Sequence, residues 1–177
     1  MNLIEILTDK SLKGAEKRAV IISAIVNDSI SLNEIMNVSD SLSEKHIAIL
    51  LEAIEEITNK KLKKVDSSCI AFAEKYIFSD SNSCKREASR IIGNLAEQYP
   101  KELNSAIKYL ILNTNSENTV VRWGSAYALS RIIVLSEFSN TNLFKEISDI
   151  CDKEQENGVK NQYVKALKKV TKNKSEI

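Results

Sequence analysis

Apolar residues recur along this chain at intervals of three and four, which is the spacing of one face of an α-helix. Three such stripes are Ile47, Leu50, Leu51, Ile54 and Ile57; Leu103, Ala106, Ile107, Leu110 and Ile111; and Leu143, Ile147, Ile150 and Cys151. No segment alternates apolar and polar residues with comparable strength, as a half-buried β-strand would. The pattern therefore predicts an all-α protein built from amphipathic helices.

Short polar segments rich in Ser, Asn and Asp separate the stripes and mark the helix ends. We predict ten helices, near residues 2–8, 11–27, 31–37, 42–59, 67–78, 83–99, 101–113, 119–135, 141–153 and 158–172. Ser31 with Glu34, and Ser41 with Glu44, have the spacing of capping boxes, in which the two side chains bind otherwise unpaired backbone amides. Pro100 suits the first turn of a helix, where its missing N–H costs nothing. None of the intervening segments is long enough to divide the chain into domains.

A four-position motif occurs three times in the second half of the chain. An apolar residue or Cys precedes a basic residue, a small or apolar residue follows four positions later, and an aliphatic residue follows seven positions later. The copies are Cys84, Lys85, Ser89 and Ile92; Val121, Arg122, Ala126 and Leu129; and Val159, Lys160, Val164 and Leu167. The basic residues lie 37 and then 38 positions apart. Repetition at such a period predicts helix pairs that bury their apolar faces by stacking on one another.

The composition agrees with the all-α prediction and limits the classes of protein to which the chain can belong. Of the 177 residues, 43% are hydrophobic and 28% charged, with only four glycines and one proline, which is typical of a helical globular domain. No apolar run is long enough to span a bilayer, and no signal-peptide pattern begins the sequence, so we expect a cytoplasmic protein without membrane contact. The three cysteines have long spacings and the single histidine, His46, cannot complete a zinc site with them, so we expect reduced thiols and no metal or cofactor.

Charge is unevenly distributed although the net charge is only +1. Residues 28–57 carry a net charge of −6, and residues 157–177 carry +5. Two interpretations stay open: these are solvated helix faces, or they form a polar gradient along an elongated molecule.

Residues 67–172 resemble HEAT repeats, the helix-hairpin units of α-solenoids, through Val121, Arg122, Ala126 and Leu129 and the equivalent residues of the other two copies. The resemblance implies a right-handed α-solenoid of stacked antiparallel helix pairs with about four to five repeats. It also implies that the basic residues of the motif are structural and bind turn carbonyls or an acid of an adjacent repeat. Within a single domain, 1–177, we expect N-terminal capping helices (1–41), a divergent repeat (42–66), HEAT-like repeats (67–99, 100–135 and 141–173) and a tail (174–177).

Helix geometry separates a second face from the core on each motif-bearing helix. Positions one, five and nine after the basic residue lie roughly opposite the core positions, and the resemblance to HEAT repeats places them on the concave surface. Helix 42–59 fits the same register if Glu44 takes the basic position. This predicted row consists of Lys45, Ile49, Ala53, Arg86, Arg90, Asn94, Trp123, Tyr127, Arg131, Asn161, Lys165 and Lys169. We predict a partner-binding site formed by Arg86, Arg90, Trp123, Tyr127, Arg131, Lys165 and Lys169, because aromatic residues and arginines together form binding hot spots. Alternatively, Trp123 and Tyr127 pack between helices under the aliphatic stems of Arg90 and Lys165.

The sequence contains none of the common motifs for nucleotide binding, zinc proteolysis or serine hydrolysis. His46 is expected at the surface, and Glu52, Glu55 and Glu56 as a solvated face. We therefore expect a non-enzymatic interaction or scaffold module that binds a protein or peptide on its concave face.

A nucleic-acid-binding protein is the alternative. HEAT-like DNA alkylation repair glycosylases use a basic, aromatic concave groove, which the arginines and lysines of the predicted row with Trp123 would fit. No acid lies on that row beside the aromatic residues to act as the catalytic aspartate of those enzymes. A third comparison, with HEAT-like lyases that attach bilin pigments, finds no supporting residues.

Overall fold

The structure is a computed structural model that describes residues 2–175, apart from the side chain of Lys174. Its elements are α1 (Leu3–Thr8), α2 (Gly14–Val26), α3 (Leu32–Val38), α4 (Glu44–Lys60), α5 (Ser68–Tyr76), α6 (Asn82–Leu95), α7 (Asn104–Asn113), α8 (Thr119–Ile132), α9 (Ser136–Ser139), α10 (Asn142–Lys153) and α11 (Asn157–Ser175). Short 3-10 helices occupy Ser39–Ser41 and Pro100–Glu102. Residues 2–175 contain no strand, so the all-α prediction is confirmed. The predicted tail begins inside α11, and its residues 176 and 177 lie outside the described residues.

Five long helices pack side by side in chain order: α2 on α4, α4 on α6, α6 on α8 and α8 on α11. We call them the long-helix row. Shorter helices pack on its other side, with α1 on α2, α5 on α6, α7 on α8 and α10 on α11. A pair made of one long helix and one shorter helix cannot bury its apolar face alone, so each pair covers that face by stacking on its neighbours.

One hydrophobic core runs through the stack from Leu3 in α1 to Val170 in α11. The stripe of α4 is buried as predicted, and Leu103, Ala106 and Leu110 are buried likewise. Each large aliphatic side chain removed from water contributes about 1.5–3 kcal/mol. The amphipathic pattern therefore both forms the helices and holds the rows together.

The helix starts agree with the sequence in part. Ser31 and Glu34 form the predicted capping box at α3. The box predicted for Ser41 and Glu44 is wrong, because Ser41 belongs to a 3-10 turn and its hydroxyl donates to the Val38 carbonyl. Helix α4 begins after Ser43 instead.

Helix α9 was not predicted. The helix expected at 119–135 ends at Ile132, and α9 follows after Leu135 in extended conformation. Phe138 is buried and anchors this single turn to the core. One apolar residue in a polar segment has no periodicity from which a helix could be recognised.

The three cysteines, all within the described residues, are buried and form no disulfide. Burial raises the pKa of the Cys69 thiol to about 12 and raises the pKa of Cys84 and of Cys151. A thiol that stays protonated and covered is a poor nucleophile.

None of the helices in the described part of the chain is both long and apolar enough to cross a membrane.

Candidate functional site

The repeating basic residue is a structural group in two of its three copies. Arg122 donates to the Ser116 and Glu117 carbonyls at 2.9 and 3.2 Å, and its Nε binds Glu154 Oε2 at 2.9 Å. Lys160 Nζ donates to the Glu154 carbonyl at 3.3 Å. Arg122 therefore links its own turn to the turn before α11, which confirms the structural role expected for it. No such bond forms at Lys85 within the described residues.

Glu154 is held as a carboxylate by these contacts. It is buried, which acts to raise its pKa, but hydrogen bonds from Arg122 and from the amides of Gln155 and Glu156 outweigh that effect, so its pKa is lowered. The carboxylate thus fixes the turn before α11 while it pairs with the preceding repeat.

The predicted row is covered in its first part. Ile49 and Ala53 of α4 are buried, and α2 packs against that helix. Arg18 of α2 reaches Glu52 and Glu56 of α4 at 3.2 and 3.5 Å. Of the α4 members of the row only Lys45 is therefore exposed, and the members on α6 are half-buried.

Arg86 and Arg90 of α6 are neutralised by carboxylates. Arg90 binds Glu55 Oε1 at 2.7 Å and Glu87 Oε2 at 3.0 Å, and Arg86 pairs with the other oxygen of Glu87. Both carboxylates are buried, with residue exposures of 5% and 1%. The expectation that Glu55 is part of a solvated face is therefore wrong.

A chain of polar contacts continues from this pair across three helices. Asn94 Nδ2 donates to Glu55 Oε1 at 3.3 Å and to Thr58 Oγ1 at 3.0 Å, while Asn94 Oδ1 accepts from the Tyr127 hydroxyl at 2.6 Å. Burial raises the pKa of Glu55, and the nearby Arg90 guanidinium opposes that rise. Burial also raises the pKa of Tyr127, so its hydroxyl stays a donor.

The aromatic pair is largely packed. Tyr127 is only 7% exposed and Trp123 is half-buried, with their ring centroids 5.5 Å apart. The Arg90 guanidinium lies 6.0 Å from the Trp123 ring and 5.7 Å from the Tyr127 ring. This is the packed arrangement predicted as the alternative, with Arg90 beside the rings as expected and with Arg131, instead of Lys165, as the second cation over Tyr127.

Two glycines let α6 and α8 approach closely enough to form this arrangement. A Cβ at Gly93 would lie 2.9 Å from Ala128 Cα and 3.1 Å from Tyr127 Cδ1. A Cβ at Gly124 would lie 3.1 Å from Arg86 Cα. The close approach brings the Tyr127 hydroxyl within reach of Asn94.

An open cleft of about 400 Å³ lies at the end of the row, which we call the Tyr127 cleft. Its polar lining comprises Thr58, Asn59, Lys61, Asn94, Glu97, Tyr127, Arg131 and Lys169. Arg131 stacks on the Tyr127 ring, with its guanidinium carbon 3.5 Å from the ring centroid. Among residues 2–175, no carboxylate lies within 4.0 Å of the charged nitrogens of Lys61, Arg131 or Lys169.

Of the seven predicted site residues, the cleft brings together three: Tyr127, Arg131 and Lys169. Arg86, Arg90 and Trp123 lie beside it in the paired and packed part of the row, and Lys165 is exposed on α11 outside the cleft lining. Sequence reasoning missed Glu55 and Glu87 as partners of the row. The spacing of Glu87 and Arg90 suits an i,i+3 pair and could have been recognised, whereas the pairing of Glu55 with Arg90 depends on how α4 stacks on α6.

No group of three or more His, Cys, Asp or Glu side chains that could hold a metal ion occurs in the part of the chain the structure describes. Arg86 and Arg90 are engaged in ion pairs, and Tyr127 and Arg131 in hydrogen bonds. Chemically, the Tyr127 cleft presents cationic donors on a rigid base.

Comparison with known proteins identifies the architecture. No protein-family model matches the chain, and no curated protein is significantly similar to it. Two engineered proteins solved by a structural genomics consortium superpose with TM-scores of 0.71 and 0.68, each at 18% identity, over 96% of this chain and 80% of theirs. A designed armadillo repeat protein superposes with a TM-score of 0.67 at 17% identity, over 95% of this chain and 80% of its own. The chain therefore has the fold of an armadillo-like helical-repeat solenoid, an α-solenoid of stacked antiparallel helix pairs.

Proposed function

We propose that this chain is a non-enzymatic, HEAT-like interaction module whose concave face, formed by the exposed side of the long-helix row, binds a protein or peptide partner. The repeats expected at 67–99, 100–135 and 141–173 are the units that carry this face. One observation carries the proposal: the row ends in an open cleft whose cations lack carboxylate partners among the described residues, on a base of buried polar contacts.

A rigid base favours binding because little conformational entropy is lost when a partner docks. Asn94 and Tyr127 are held by hydrogen bonds and packing before any ligand arrives. The cleft also resembles a binding site in combining an aromatic ring, an arginine and hydrogen-bonding groups in a concavity.

The nucleic-acid alternative loses part of its support in the structure. Binding to phosphates requires cations that are available to replace counterions. Arg86 and Arg90 are already paired with Glu55 and Glu87, so two of the five cations expected in the groove are neutralised. Arg131, Lys165 and Lys169 remain for an anionic ligand.

The proposal is tested by selecting binders from a library of random displayed peptides. We expect enriched peptides whose binding is abolished by Lys165→Glu combined with Lys169→Glu. Lys108→Glu on α7 is the matched control, because Lys108 is exposed on the opposite row and should leave binding unchanged. Failure to enrich any peptide, or equal loss in both variants, would overturn the concave-face proposal.

Single-stranded and duplex oligonucleotides, measured in parallel at low and at physiological ionic strength, test the alternative. Tight oligonucleotide binding that weakens steeply with salt would favour nucleic acid over a peptide.

A further inference from the structure

We propose that the Tyr127 cleft binds a carboxylate side chain of an acidic partner segment, with Arg131 as the residue that holds it. This inference rests on the proposed function and specifies the chemistry of the partner. It is carried by the charge of the cleft, the geometry of Arg131 and a difference between neighbouring repeats.

The cleft is a convergence of positive charge from three helices. Lys61 ends α4, Arg131 lies in the last turn of α8, and Lys169 lies on α11. Glu97 is the one acidic residue of the lining, so the cleft carries a net charge of +2 when these groups are ionised. All three cations are exposed, and like charges that converge on one concavity raise the local attraction for an anion above that of a single surface cation.

The Tyr127 ring orients Arg131 for this role. The guanidinium lies 3.5 Å from the ring centroid, and NH1 donates to the Tyr127 carbonyl at 3.4 Å. Arginine has five N–H donors, so stacking leaves most of them available at the edge of the guanidinium. Such an edge fits the two oxygens of a carboxylate with parallel hydrogen bonds, which a lysine cannot reproduce.

Tyr127 is itself fixed by the buried polar chain. Its hydroxyl donates to Asn94, and Asn94 donates to Thr58 and Glu55, which accepts from Arg90. Arg131 is thus the exposed end of a series of contacts whose other members are already paired. The arrangement is pre-organised for a ligand that accepts hydrogen bonds.

Comparison between repeats shows that a carboxylate is missing beside Arg131. If Lys45, Arg86 and Trp123 are placed in register, Arg131 of α8 corresponds to Asn94 of α6, and Glu55 of α4 corresponds to Ala96. Asn94 donates to the Glu55 carboxylate of the preceding repeat, whereas the residue at the equivalent position before Arg131 is an alanine. A carboxylate from a partner would supply to Arg131 what Glu55 supplies to Asn94.

The test is fluorescence polarisation with a labelled Gly/Ser peptide that carries several Glu residues, its Gln counterpart and a single-stranded oligonucleotide. We expect the Glu peptide to bind, and the Gln peptide to bind at least about tenfold more weakly because a charge-assisted pair is lost. Arg131→Gln should weaken the Glu peptide by a similar factor, and Arg131→Lys by less. Lys169→Gln should also weaken it, whereas Lys168→Gln, one residue away on α11 and outside the cleft lining, should not.

Circular dichroism of each variant checks that the helices are intact, and Arg131→Lys keeps the charge if Arg131→Gln fails to fold. Equal binding of the Glu and Gln peptides, or unchanged binding in the Arg131 and Lys169 variants, overturns the inference. Preferential binding of the oligonucleotide through the same residues overturns it in favour of a phosphate ligand. Neutral or basic peptides from the library selection that still require the concave face would leave the proposed function standing while this inference fails.

Discussion

Gly93→Ala should destabilise the protein because Gly93 lies where α6 and α8 are closest. The added Cβ would lie 2.9 Å from Ala128 Cα, whereas carbon atoms in contact normally stay about 3.5–4.0 Å apart. The opposing atom belongs to the backbone, so no rotamer change can relieve the overlap. The helices must separate by about 0.6 Å or more, which in a close-packed interior is transmitted to neighbouring groups.

Two opposing effects set the size of the change. Alanine is favoured over glycine in a helix by about 1 kcal/mol, while overpacking a well-packed contact costs about 1–3 kcal/mol. Separation of the helices also lengthens the 2.6 Å hydrogen bond from Tyr127 to Asn94. We therefore expect the free energy of unfolding to fall by about 1–2 kcal/mol.

Gly158→Ala is the matched control. Gly158 lies in the first turn of α11, and a Cβ there meets no atom within 4 Å. The same chemical change should be neutral or stabilise the protein by up to about 1 kcal/mol. The unfolding free energies of the two variants should then differ by about 2 kcal/mol. Because both variants replace a helical glycine by alanine, helix propensity drops out when they are compared.

Urea unfolding followed by circular dichroism measures both free energies, provided that the slopes agree. Trp123, the only tryptophan, gives a local signal because its ring lies 5.5 Å from the Tyr127 ring. Its emission should change in Gly93→Ala and stay constant in Gly158→Ala. If the two variants gain stability equally and Trp123 emission is unchanged in both, α6 and α8 do not approach as described.

Three further outcomes follow from the described contacts. Glu154→Gln should lower the free energy of unfolding at neutral pH by about 2 kcal/mol through the lost charge-assisted bond to Arg122. Since folding lowers the pKa of Glu154, its contribution is present above the unfolded pKa of about 4.3 and disappears as the pH falls through the folded pKa. Urea unfolding at a series of pH values should therefore show that the difference between variant and wild type shrinks in acid, and a constant difference would contradict this. Lys61→Gly should raise the unfolding free energy by about 0.5–1 kcal/mol, because Lys61 ends α4 in the left-handed region at φ 53, and a loss of stability in thermal or urea unfolding would argue against strain there. The three thiols should react with a thiol reagent only after unfolding, because in the folded protein they are covered and burial raises the pKa of each, that of Cys69 to about 12. Rapid labelling of the native protein in a mass-spectrometric time course would show that the core opens.

Most helices could be predicted from the sequence because the required information is local. Stripes at intervals of three and four specify which face is buried, and the box of Ser31 and Glu34 depends on residues within one turn. The failure at Ser41 shows the limit of such local signals, since α4 begins after Ser43, whose side chain makes no capping hydrogen bond. The spacing of a capping box does not show that a 3-10 turn takes up the serine instead.

The row of candidate residues was also visible in the sequence, because faces of a helix follow from its geometry. Trp123, Tyr127 and Arg131 do lie on one side of α8, opposite core residues such as Leu129. Whether this face of α8 is exposed to solvent or covered depends on the distance between neighbouring helices. The glycine at 93 allows the close contact that buries Tyr127, and its effect required knowing what it faces.

The sequence by itself determined the helices, the repeat and the residue types along each face, since these depend on residues a few positions apart. Only the tertiary structure decided which charged side chains of the row remain available to bind a partner. Arg90 and Arg131 are both arginines of the same row, but Glu55 reaches Arg90 from 35 positions earlier, while Arg131 stacks on Tyr127 without a carboxylate partner in the described chain. The strength of an ion pair depends on separation and burial, and for residues in different repeats both are set by how the helices stack.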